Sequence, residues 1–118
     1  MSDRVALLKK FVQRLRQKLK THAVRITMHG YSMMPTIKSN QKVVIINKSH
    51  NEVEPGEIVL FLKDEQIILH RIIYKENVDG IIMFLTRGDN CDTLDNWVVY
   101  ESDILGIAQS INESIPSC

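Results

Sequence analysis

Long hydrophobic runs are the first thing this chain lacks. Its longest are Ile58-Val59-Leu60-Phe61-Leu62 and Ile81-Ile82-Met83-Phe84-Leu85. Five residues suit a buried strand, whereas a membrane-spanning helix takes about 20. No secretory h-region stands near the N-terminus, because charge interrupts every stretch there. The chain as given is therefore expected neither to span a membrane nor to carry an export signal. Cysteine is scarce too. Cys91 and Cys118 are too few for a disulfide framework and lack the CxxC spacing of a zinc site. They predict reduced thiols in a cytoplasmic protein, with no metal and no other cofactor. No internal repeat and no low-complexity linker occurs. With 118 residues, 44% hydrophobic and 25% charged, the composition suits one globular domain with one core.

What is present is unevenly spread. The net charge is only +1, yet residues 1–20 hold seven of the fifteen basic residues and a single acid, Asp3. The remainder carries eight basic against thirteen acidic residues, a balance of −5. A basic segment is attached to an acidic body.

That segment reads as a helix over residues 3–20. Val5, Leu8, Phe11, Leu15 and Leu19 recur at spacings of three and four, proline and glycine are absent, and Ser2 or Asp3 is placed to cap the start. The expected organisation is a basic amphipathic helix over residues 1–22 and a β-domain over 23–118. Three roles for the helix stay open. It docks its apolar stripe on the β-domain, it binds an anionic membrane surface reversibly as a peripheral contact, or it recognises an acidic leader or partner protein. Nucleic acid is not an expected partner, since no aromatic platform of the kind that stacks bases accompanies the charges.

From Ala23 onward the pattern is mainly β. Val24, Ile26 and Met28 alternate with polar residues, and strands are predicted over residues 42–47, 57–63, 66–74, 81–87, 97–100 and 103–108. Turn-forming stretches separate them, among them Glu54-Pro55-Gly56, Lys63-Asp64-Glu65-Gln66 and Asn77-Val78-Asp79-Gly80. Short, mostly antiparallel strands at such intervals predict a sandwich or barrel-like domain.

Three segments offer chemistry. In Gly30-Tyr31-Ser32-Met33-Met34-Pro35-Thr36 a serine sits where glycine frees the backbone and proline blocks a paired strand. A nucleophilic serine needs a base. His22 and His50 lie in polar connections, and His29 falls on the face opposite Ser32 along an extended chain. His70 interrupts the apolar run of residues 67–73, where a polar side chain needs a partner. The segment Thr86-Arg87-Gly88-Asp89-Asn90-Cys91-Asp92-Thr93-Leu94-Asp95 brings three aspartates, any of which could orient an imidazole. Each feature also has a plain structural reading: a turn serine, a satisfied strand histidine, an acidic turn.

Together these segments resemble the type I signal peptidases. Ser32-Met33-Met34-Pro35 resembles the SMxP nucleophile box, and Pro55-Gly56-Glu57-Ile58-Val59 the PGDIV element. Leu69-His70-Arg71-Ile72 is similar to the base box, Arg87-Gly88-Asp89-Asn90 with Asp95 to the KGDNxxxxD box, and Ile104-Leu105-Gly106 to the closing strand. The boxes run in order from about Met28 to Ala108. Most bacterial members use lysine where this chain has His70; the histidine is similar to the endoplasmic-reticulum-type branch, which uses Ser, His and Asp. The self-cleaving SOS repressors share the fold but use lysine.

The resemblance implies a serine endopeptidase on the signal peptidase/SOS-repressor β-fold. Ser32 would be nucleophile, His70 general base, and Asp95 the orienting acid, with Asp89 a supporting or alternative acid. Gly30, Met33 and Leu69 would contact an extended peptide lying beside residues 25–30, with small side chains at the first and third positions before the cut. Gly30 stands where some members carry a serine that helps the oxyanion, so the Ser32 N–H would carry more of that role. Imidazole ordinarily titrates near ~6.5, so a histidine base implies activity rising through about pH 6–7. A peptide- or protein-binding module on the same fold, without hydrolysis, is the competing function.

Overall fold

The computed structural model describes residues 3–109, so Ser2 as a cap and Cys118 as a thiol lie outside the described residues. Helix α1, Asp3–Leu19, buries Val12, Leu15 and Leu19 and half-buries Leu8. The expected stripe is thus turned. A helix meets a sheet along a narrow line, and spacings of four, three and four from Leu8 to Leu19 fill that line. Phe11 falls at its edge and stays 50% exposed. Arg16 ties the helix down by donating to the Ile104 carbonyl (3.2 Å) and the Ser102 carbonyl (2.9 Å). No helix among the described residues is long and apolar enough to cross a membrane.

Seven strands follow: β1 (Val24–Thr27), β2 (Lys42–Ile46), β3 (Ile58–Lys63), β4 (Gln66–Val78), β5 (Ile81–Arg87), β6 (Val99–Tyr100) and β7 (Ile104–Ala108). All pairings are antiparallel, in the order β1-β2-β7-β3-β4-β5-β6. The protein is mainly β with one N-terminal helix, as expected. The strands join a single sheet, bent at register shifts after Leu60 and Ile72, where the sequence pattern suggested a sandwich or barrel. Both faces carry core, which explains the resemblance of the pattern. Val43, Ile45, Leu60, Leu69 and Leu105 face α1, while Val59, Phe61, Ile72, Phe84 and Ile107 form the opposite cluster. The unbroken apolar run of β3 follows from being covered on both sides.

Tight turns set the two long hairpins. Asp64 and Glu65 (φ 52° and 62°) join β3 to β4, and Asp79 and Gly80 (φ 53° and 88°) join β4 to β5. Two successive positive φ values match the right-handed twist of the flanking strands. The second turn carries β4 four residues beyond its expected end, through the polar Glu76 and Asn77. Two edges are left unpaired among the described residues: β1 pairs only with β2, and β4 pairs with β5 only from Arg71 onward. Among the described residues, 66–70 therefore keep one free edge.

Candidate active site

Ser32 occupies a turn after β1. Gly30 opens it at φ 105°, a value L side chains rarely adopt, and donates its N–H to Ser39 Oγ (3.1 Å). The Met34 N–H closes the turn on the Tyr31 carbonyl (3.2 Å), and the Met34–Pro35 bond is cis. Ser32 is exposed, and its own N–H makes no hydrogen bond among the described residues. The adjoining Met33 points inward and is 5% exposed.

His70 lies on β4 opposite Val59 and is 8% exposed. Its ring edge packs on Phe61, centroids 6.3 Å apart. Nδ1 sits 2.6 Å from Asp95 Oδ2, and Nε2 sits 3.1 Å from Ser32 Oγ. An ionised carboxylate only accepts, so Nδ1 must carry a proton; in the neutral ring Nε2 then offers a lone pair to the Ser32 hydroxyl. The tautomer needed for proton abstraction is fixed by Asp95.

Asp95 belongs to the connection between β5 and β6, anchored by its N–H on the Thr86 carbonyl (2.9 Å). Thr86, fully buried, donates its hydroxyl to Asp95 Oδ2 (2.7 Å) and accepts from Trp97 Nε1 (3.3 Å). Thr86 and Trp97 were not among the residues singled out in the sequence. A signal existed: Ile82, Phe84 and Thr86 alternate onto one inward face, so Thr86 is a polar residue at a core position.

Asp89 goes elsewhere. Arg71 grips it with two bonds, Nε to Oδ1 (2.8 Å) and Nη2 to Oδ2 (2.6 Å), and Thr36 Oγ1 donates to Oδ2 (2.6 Å). Those Arg71 bonds, with Thr36 adding and burial opposing, hold the Asp89 carboxyl below its ordinary range, and the Arg71 guanidinium is raised in return. Arg71 also donates to the Gly56 carbonyl (2.7 Å), linking the turn before β3 to the same network. Of the two acids considered, Asp95 meets His70 and Asp89 does not.

The segment after β5 also supports the nucleophile turn. The Asn90 N–H donates to the Ser32 carbonyl (2.7 Å), and Asn90 Nδ2 to the Tyr31 carbonyl (3.1 Å). Of the other histidines, His22 bonds Thr21 Oγ1 and His50 faces Glu101, while His29, expected on the face opposite Ser32, bonds Asn40 Oδ1 and lines the same cleft as Ser32 and His70. No group of His, Cys, Asp or Glu among the described residues is placed to hold a metal ion.

Beside Ser32 and His70 opens a cleft of about 280 Å³, lined in part by Met28, Gly30, Met33 and Leu69. Gly30, Met33 and Leu69 thus line one cleft, which runs between residues 28–33, following β1, and residues 66–70 of β4. An exposed hydroxyl, an imidazole with its acceptor nitrogen aimed at it, and a half-buried carboxylate behind can together generate an alkoxide equivalent.

A family model described as Peptidase S24-like matches residues 2–84, more than half of the chain. The match takes in Ser32 and His70 and stops before Thr86 and Asp95. No curated protein matches the chain.

Proposed function

The chain belongs to the Peptidase S24-like family, and on that premise we propose that it is a serine endopeptidase of the signal-peptidase type. One observation carries the reading: the continuous path Ser32 Oγ, His70 Nε2, His70 Nδ1, Asp95 Oδ2, with steps of 3.1 and 2.6 Å at its two hydrogen bonds. His70 takes the Ser32 proton as the hydroxyl oxygen attacks the peptide carbonyl, and returns it to the leaving amine. Water, activated by the same imidazole, then releases the acyl group from Ser32. Asp95 holds the ring and stabilises it while protonated; positioned acid–base help of this kind supplies about 10²–10⁴ in rate. The free Ser32 N–H is available to the developing oxyanion.

Histidine in place of lysine favours the endoplasmic-reticulum-type branch of signal peptidases over the self-cleaving repressors. The substrate is an extended peptide that adds as a strand between β1 and residues 66–70, since both edges have unpaired backbone groups. The residue before the cut rests over Met33 and Leu69, which suit a small side chain.

The test is digestion of a peptide library by the wild type, Ser32→Ala and His70→Ala, read by mass spectrometry. Products that appear only with the wild type are expected. The same products from all three proteins would remove the enzyme reading and leave a binding module.

A further inference from the structure

The cleft beside Ser32 does not end at β1. Met28, His29 and Ile67 line both it and a second cavity, of about 310 Å³, that continues toward the N-terminal helix. The second cavity is walled by Ile26 and Leu60 from the sheet and by Phe11 and Leu15 from α1. Leu15 is buried, whereas Phe11 stands half-exposed at the edge of the docked stripe and lines the cavity. An aromatic side chain held in water beside an open apolar cavity costs free energy that a ligand can recover.

The cavity adjoins the cleft on the β1 side: its lining takes in Ile26 and Thr27 of β1, whereas that of the cleft begins at Met28. In an extended peptide, side chains on one face recur every two residues, roughly 7 Å. A peptide with one side chain over Met33 and running along β1 would carry its next same-face side chain toward this adjoining cavity. Farther along, Arg14 and Lys18 follow Phe11 by three and seven residues and share its side of the helix. Both are exposed, and neither forms a salt bridge among the described residues. The helix as a whole is strongly basic while the body is acidic.

We propose that α1 reads the substrate: Phe11 and Leu15, with Ile26, Met28 and Ile67, form a subsite for a bulky apolar side chain two residues ahead of the one beside Ser32, and Arg14 and Lys18 meet acidic residues farther from the cut. The small residue that the signal-peptidase resemblance implies at that position would leave most of this cavity empty. The occupant is an acidic leader-like peptide with a leucine, isoleucine, methionine or phenylalanine at that position. This rests on the peptidase reading for its direction relative to the cut, but not for binding itself.

The experiment uses the Ser32→Ala chain, which binds without cutting, immobilised and exposed to a randomised peptide library. Retained peptides are sequenced for Ser32→Ala alone, with Phe11→Ala added, and with Arg14→Glu and Lys18→Glu added; circular dichroism checks that each is folded. Enrichment of bulky apolar residues two positions from a small one is expected. It should fall about tenfold with Phe11→Ala, the equivalent of losing one good apolar contact. The charge-reversed variant should lose the acidic preference and keep the apolar one. No apolar enrichment, or the same enrichment with and without Phe11, overturns the inference. Enrichment without any cleavage by the Ser32 chain would sink the peptidase reading alone.

Discussion

A methyl group on Gly88 would lie 2.6 Å from the Ser32 carbonyl oxygen and 3.1 Å from His70 Nε2. The first contact is with backbone, which cannot swing away, and the second is with the nitrogen placed to take the Ser32 proton. Gly88→Ala should therefore displace one side of the serine–histidine pair. Misplacement near 1 Å costs on the order of 10² in rate. A kcat reduced by about that factor, in a chain that still melts cooperatively, is the expected outcome. Unchanged kcat would mean the turn shifts without disturbing the pair.

The two aspartates separate by variant. With Asp95→Asn, the amide can present N–H₂ to His70 Nδ1, which selects the tautomer whose Nε2 carries a proton and no longer accepts from Ser32. A loss of about 10⁴ in kcat is expected, the scale seen when the orienting acid of a Ser-His-Asp arrangement becomes an amide. Asp89→Asn leaves that path untouched and should cost far less. Equal losses in the two variants, measured on one peptide from the library digestion, would contradict this division.

Asp89 should instead govern stability in acid. Its carboxyl is held below the ordinary 3.8, chiefly by the Arg71 hydrogen bonds. The unfolded chain thus binds a proton that the folded chain refuses, so this contribution is fully present above about pH 4 and fades as pH falls further. Hydrogen bonds to a charged group are in general worth about 1.5–3 kcal/mol, and the 30% exposure of the Arg71 side chain weakens this pair. Urea unfolding of wild type and Asp89→Asn should show a stability gap at neutral pH that narrows from pH 4 toward pH 2. A gap independent of pH would disprove the assignment.

How far the sequence carried this picture depends on range. Strand positions were legible because alternation and turn residues are local: Asp79-Gly80 marks a hairpin wherever it occurs. Ser32 and His70 stood out for the same reason, one flanked by Gly30 and Pro35, the other interrupting an apolar run. The joining of strands into one sheet was not legible, since β2–β7 and β3–β7 pairing depends on residues far apart in the chain. Nor was the choice between Asp89 and Asp95. Both lie in one polar segment, and their separation is set by Arg71 across the sheet and by the Asp95 N–H closing on Thr86. Phe11 was misplaced because periodicity gives a stripe its direction but not the width of the surface that will cover it.

Thr86 tests whether the support behind Asp95 matters to the chemistry. Its hydroxyl donates to Asp95 Oδ2 and accepts from Trp97 Nε1 in a fully buried position. Thr86→Val keeps the shape but leaves a carboxylate oxygen and an indole N–H each short of one partner, which costs about 1–3 kcal/mol. A merely structural role would end there. A positioning role adds a drop in kcat with little change in KM, because the imidazole loses its fixed orientation while peptide binding along β1 does not involve Thr86. Thr86→Ser restores the hydroxyl and removes only a methyl group, so it should recover most of kcat while remaining somewhat less stable than wild type. If serine rescues stability but not kcat, the bond from residue 86 is not what orients Asp95.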